Sequence, residues 1–174
     1  MPAGVDETVD RVVEPLAVAA LLAERKARAV AAELTSESTW VIGADTVVAV
    51  EVECRARLLG KPVDEREAKQ FLEWLSGSRH QVVTGVCVLG PSPSDVAVDA
   101  ERTWVSMREI TPAEVAAYVR SGEWQDKAGG YAIQENADAF VISLEEGGFD
   151  NVVGLPVELT KQLLYRAAYP ELAR

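Results

Sequence analysis

The chain is short of basic residues, of cysteine and of histidine. Its 174 residues carry 17 Lys and Arg against 28 Asp and Glu, a formal net charge of -11. Nucleic acids and anionic membranes are attracted by basic faces, so neither is an expected partner. An anionic small molecule fits better, provided local lysines or a metal ion cancel its charge. The two cysteines, Cys54 and Cys87, lie far apart and form no C-x-x-C pair. That excludes a disulfide-stapled miniprotein and reads as reduced thiols in the cytoplasm. No apolar run approaches the ~20 residues that span a bilayer. The opening MPAGVDETVD has neither the basic nor the apolar region of a signal peptide. Low-complexity linkers and internal repeats are also missing, and 48% hydrophobic with 26% charged residues is ordinary for one globular domain.

Helical and extended patterns interleave along the chain. Residues 15–34 read as a helix opened by Pro15, with Leu16, Ala20, Ala23, Ala27, Val30 and Leu34 forming an apolar stripe. Residues 40–50 are almost wholly apolar and β-branched, as in a strand buried on both faces. Asp64 and Glu67 have capping-box spacing before a second helix to Leu75, and Gly77 can end it. Residues 80–89 read as another buried strand, 91–95 as a turn, and 103–108 as a strand with one covered face. Thr111, Pro112, Glu114 and Gly122 punctuate a third helix. Short strands are expected near 131–134 and 139–144, and a last helix over 156–168. The fold class is α/β.

Asp45 is the main chemical anomaly, because it interrupts the apolar run Ile42-Gly43-Ala44-Asp45-Thr46-Val47. An ionised carboxylate there is costly unless paired, hydrogen-bonded or bound to a cation. The structural alternative is a strand end, with Gly43 at a bulge and Asp45 in water. Lys61, in Leu59-Gly60-Lys61-Pro62, can point at an anion, yet no phosphate-binding G-x-x-x-x-G-K-[ST] loop is present. Lys26, between Arg25 and Arg28, reads alone as part of a solvated basic face, and Glu7 as an ordinary acidic residue. His80 is the sole histidine and lacks a nucleophile elbow, so a hydrogen-bonded structural role is expected. Residues 124–134 combine Lys127, Gly129, Gly130, Tyr131 and Gln134. Two glycines can turn backbone N–H groups toward a ligand, Tyr131 offers a stacking plane, and Gln134 both donates and accepts. The plainer alternative is a glycine-rich turn. Residues 151–156 read as a turn into the closing helix.

Six segments in this order resemble the Maf family of nucleotide pyrophosphatases (septum-formation-inhibitor-like proteins): KARAVA at 26–31, IGADTVV at 42–48, LGKP at 59–62, LSGSRHQVVTGV at 75–86, DKAGGYAIQ at 126–134 and NVVGLP at 151–156. The resemblance covers nearly the whole chain as a single domain over 1–174. It implies a Maf/ITPase-like mixed twisted sheet with flanking helices and a cleft between two lobes. It further implies hydrolysis of nucleoside triphosphates to monophosphate and pyrophosphate with Mg²⁺ or Mn²⁺. The GADT and KAGGYAIQ forms look like the branch acting on dTTP and UTP, with modified pyrimidine nucleotides as further substrates. Carried over by position, Asp45 is the catalytic carboxylate and a metal ligand, Glu7 helps hold the metal, and Lys26 and Lys61 meet the phosphates. Lys127, Gly129, Gly130 and Gln134 support the substrate. The implied partner is the nucleotide, with neither nucleic acid nor membrane, and a homodimer is compatible with it. The family's opening S-x-S-P-R-R does not occur in this chain, which starts near the Glu7 motif, and Leu21 stands where the family has arginine. The alternative reading is therefore a weakened or inactive nucleotide-binding or regulatory relative.

Overall fold

A computed structural model describes residues 14–34 and 38–169. Glu7 lies outside the described residues. Helix α1, Pro15–Glu33, begins with proline in its first turn, as read from the sequence. Its buried face is Val18, Ala19, Leu22, Ala23 and Ala27. The expected stripe is thus rotated, since Leu16, Ala20 and Val30 are half-buried and Leu34 is exposed. Backbone approach decides the face. A Cβ at Gly43 would come within 2.6 Å of the Ala23 carbonyl oxygen, and one at Gly85 would overlap the backbone of Ala19 and Ala20. Small residues therefore turn inward where a leucine could not fit.

The described strands form one five-stranded sheet in the order β2-β1-β3-β4-β5. Strand β1, Val41–Val52, pairs antiparallel with β2, Arg55–Leu59, from Val48 opposite Leu59 to Val52 opposite Arg55. The two linking residues, Glu53 and Cys54, have φ of +52° and +60°. Tight hairpin turns need that left-handed pair, usually supplied by Asn-Gly, and its absence hid β2 from the sequence reading. Strands β3, Arg79–Leu89, and β4, Val96–Met107, are joined by the turn at 90–95. Strand β5, Val141–Glu145, runs antiparallel to β4, with an irregularity at Ser106/Met107.

Helix α2, Glu65–Leu75, is capped by Asp64 Oδ1, which accepts the Glu67 N–H at 2.8 Å. Helix α3, Pro112–Ser121, carries the full capping box of Thr111 and Glu114 and stops at Gly122, φ +77°. Residues 151–153, expected within a turn over 151–156, instead end the short helix α4, Phe149–Val153, and α5 spans Val157–Ala168. Residues 131–134 form no strand: Tyr131, Ala132 and Ile133 are all buried, and a 3-10 turn follows at Asn136–Phe140. Among the described residues no helix is long and apolar enough to cross a membrane.

The described residues divide into two compact units, one of 14–34, 38–46, 84–101 and 154–169, the other of 47–83 and 102–153. In the first, Cys87 and Leu89 pack with α1 while Val86 and Val88 pack with Leu163 and Ala167 of α5. The period-two alternation of β3 thus serves a helix on either side. The second unit has a larger core, in which Phe71, Leu72 and Leu75 of α2 join Val82, Val105 and Tyr118.

Candidate functional site

In the first unit lies Asp45, the carboxylate that interrupts the apolar run of β1. The near-contact of α1 with Gly43 brings the Lys26 side chain onto the Asp45 carboxylate in an ion pair. Only 9% of the Asp45 side chain and 21% of the Lys26 side chain is exposed. Asp45 is therefore not a strand end reaching water, and Gly43 marks a helix contact, not a bulge. The basic cluster splits by direction: Arg28 pairs with Glu24 in solvent at 2.7 Å, whereas Lys26 turns toward the sheet. Withdrawing either member of such a pair leaves a partly desolvated charge, which is the expensive case. Beside it, the Thr46 and Thr84 hydroxyls lie 2.8 Å apart. Leu21 is exposed on α1.

In the second unit, Lys61 is exposed at the end of β2 while the next residue, Pro62, is buried. The glycine-rich segment is fastened to this place. The Gly129 N–H donates to the Gly60 carbonyl at 2.9 Å, and the Gly130 N–H donates to the Lys127 carbonyl at 3.0 Å. The expectation that these two N–H groups face a ligand is corrected, since protein carbonyls already take both. The glycines are needed for backbone shape and space. Both have φ of +72°, and a Cβ on Gly129 would lie 2.9 Å from Val48 Cγ2. Lys127 is half-buried and Gln134 is exposed, flanking the pinned turn.

Tyr131 is likewise corrected from stacking plane to anchor. Its ring is buried edge-on to His80, with the phenol oxygen 3.0 Å from Nε2. His80 Nδ1 lies 3.1 Å from Ser78 Oγ, so the histidine is hydrogen-bonded and structural, as expected. Burial pulls the imidazole pKa down to about 4, keeping the ring neutral. Desolvation raises the Tyr131 phenol well above its usual range and Tyr118 to about 12, so both stay protonated. Tyr118 Oη accepts the Ala132 N–H at 3.2 Å. Nothing in the sequence marks Tyr118, a lone tyrosine on an amphipathic helix. Asn151 was also missed as a side chain of consequence. It is fully buried, and its Nδ2 donates to Thr103 Oγ1 at 2.8 Å and to the Val82 carbonyl at 3.2 Å.

Among the described residues no group of three or more His, Cys, Asp and Glu is arranged to hold a metal ion. Asp45 supplies one carboxylate.

The family model described as Maf-like protein matches residues 1–167. Similar curated proteins include the dTTP/UTP pyrophosphatase of Hyphomonas neptunium, 44% identical over 97% of this chain and 83% of its own length. The protein of the same name from Paramagnetospirillum magneticum is 45% identical over 94% of this chain and 82% of its own. That of Pelotomaculum thermopropionicum is 43% identical over 97% and 85% respectively.

Proposed function

Because this chain belongs to the Maf family, we propose that it is a cytoplasmic nucleoside triphosphate pyrophosphatase acting on dTTP and UTP. Relatives of 43–45% identity carrying that activity in their names support the reading. The single observation that carries it is the Asp45–Lys26 pair, an acid and a base held together in a largely apolar strand and helix. Structural economy would place neither there, whereas a polyphosphate and its cation need one of each.

In this reading a water oxygen bonds to the α-phosphorus and gives up a proton to solvent while the bridge to the β-phosphate breaks, its electron pair leaving with pyrophosphate. Asp45 is the carboxylate on which the reaction depends, and Glu7 is assigned a share of the metal. Mg²⁺ or Mn²⁺, when bound, neutralises phosphate charge and polarises the reacting group. Lys26 balances Asp45 in the free protein and is assigned to the phosphates in the complex. Lys61 is assigned to the phosphates. Lys127 and Gln134 hold the nucleotide from the turn that Gly129 and Gly130 shape. The test is pyrophosphate release from dTTP, UTP and dCTP. Asp45→Asn should lower kcat by ~10²–10³-fold, the scale for losing one charge-stabilising group, and Lys61→Ala should lower kcat/KM. Unchanged release by Asp45→Asn overturns the assignment. A second reading, nucleotide binding without turnover, draws on Leu21 in place of the family's arginine. Tight dTTP binding with no release in the unaltered protein would select it.

A further inference from the structure

We propose that His80 and Tyr131 are positioning residues for nucleotide binding, fixing the 127–134 turn through a hydrogen-bond chain that has only one direction. The inference rests on the assignment of that turn to the nucleotide and deepens it. The chain starts at the last residue of α2, where the Leu75 carbonyl accepts the Ser78 hydroxyl at 2.8 Å. Ser78 has one hydroxyl proton and has spent it. Its oxygen therefore meets His80 Nδ1 as an acceptor, so Nδ1 carries the imidazole proton. Nε2 of the neutral ring is left bare and takes the Tyr131 hydroxyl proton.

Three attachments follow one another along the turn. Gly129 is held by the Gly60 carbonyl, Tyr131 by His80, and Ala132 by Tyr118 Oη. Lys127 and Gln134 stand at the two ends of this pinned span, one half-buried and one exposed. Ordering a loop before the ligand arrives removes that cost from binding. Packing alone would be served by leucine at 80 and phenylalanine at 131. Buried polar groups gain over apolar ones chiefly when they select one arrangement, and here every donor has one acceptor.

The test compares Tyr131→Phe, His80→Leu and His80→Gln with the unaltered protein, all assayed well below their melting temperatures. Tyr131→Phe keeps the ring and loses the proton donor; it should raise KM for dTTP and UTP about 10-fold with kcat held within about 2-fold, the scale of one lost buried hydrogen bond. His80→Gln places a carbonyl acceptor near the Nε2 position and should recover much of the KM that His80→Leu loses. The chain has one histidine, so long-range ¹H–¹⁵N couplings report its tautomer without assignment, and Nδ1–H is expected. An Nε2–H tautomer overturns the proposal. So does a lowered melting temperature in Tyr131→Phe with KM unchanged. Lys127→Ala and Gln134→Ala separate the levels. If neither raises KM, the turn does not bind nucleotide and the proposal falls with that assignment. If they raise KM while Tyr131→Phe does not, only the positioning role fails.

Discussion

Gly43→Ala is a sharp perturbation because it acts on Asp45 without touching it. The added Cβ would sit 2.6 Å from the Ala23 carbonyl oxygen and 2.8 Å from both the Cβ and N of Ala27. Two of these three atoms are backbone, so no side-chain rotation relieves the clash. Helix α1 must lift by about 0.8 Å to restore ordinary 3.4 Å contact. Overpacking of this kind costs about 1–3 kcal/mol. A loss of about 2 kcal/mol corresponds to roughly 4–8 °C of melting temperature in a chain of this length. The same lift draws Lys26 away from Asp45, and displacements approaching 1 Å cost up to ~100-fold in rate. Thermal denaturation and pyrophosphate release measure the two effects. Ala27→Gly in the same chain removes only the Cβ contact and leaves both backbone clashes, so it should not recover the stability and should add a cost of about 1 kcal/mol for glycine inside a helix. In a Lys26→Ala background the activity loss from Gly43→Ala should largely vanish, because the cycle isolates what passes through the lysine. An unshifted melting temperature with full activity would refute the helix-on-glycine argument.

Acid should weaken the fold through His80. Its folded pKa near 4 lies below the ordinary histidine value of 6.5, so the unfolded chain binds the extra proton first as pH falls. The contribution, about 3 kcal/mol, is complete above pH 6.5 and is lost progressively down to about pH 4; denaturant titrations at pH 4–7 should show a slope that His80→Gln flattens. Asn151→Ala should cost about 1–3 kcal/mol by removing the buried amide that donates to the Val82 carbonyl and to Thr103 Oγ1, read as a lower denaturation midpoint with unchanged slope. Thr111→Ala, which removes the cap of α3, should cost about 1 kcal/mol and leave KM for dTTP unaltered.

Capping chemistry was the part of the fold most legible in the sequence. Asp64, Thr111 and Gly122 announce their helix ends because they satisfy exposed backbone groups locally, without help from distant residues. The β1–β2 hairpin was hidden because Glu53 and Cys54 adopt left-handed geometry that their side chains do not advertise. The inward face of α1 was misplaced for a tertiary reason: Gly43 and Gly85 invite alanines, and no pattern internal to the helix records that. Asp45 was recognisable because a charge among apolar residues is anomalous on any fold, but its partner was not, since Lys26 resembles its solvated neighbours until α1 is docked. The glycine pair at 129–130 was seen, yet its N–H groups turn to Gly60 and Lys127, a choice set by residues nearly seventy positions upstream for the first and by local turn geometry for the second.

The two outermost strands of the sheet, β2 and β5, are each five residues long, and charge sits on both. Arg55 and Arg57 lie on one and Glu145 on the other, where it is tied to Arg79 at 2.8 Å. Open strand edges recruit foreign chains into fibrils, and brevity together with charge is the usual deterrent. A protein whose interior strands are so rich in valine thereby guards its own solubility at the margins, so neutralising Arg55 and Arg57 together should first betray itself as turbidity on storage.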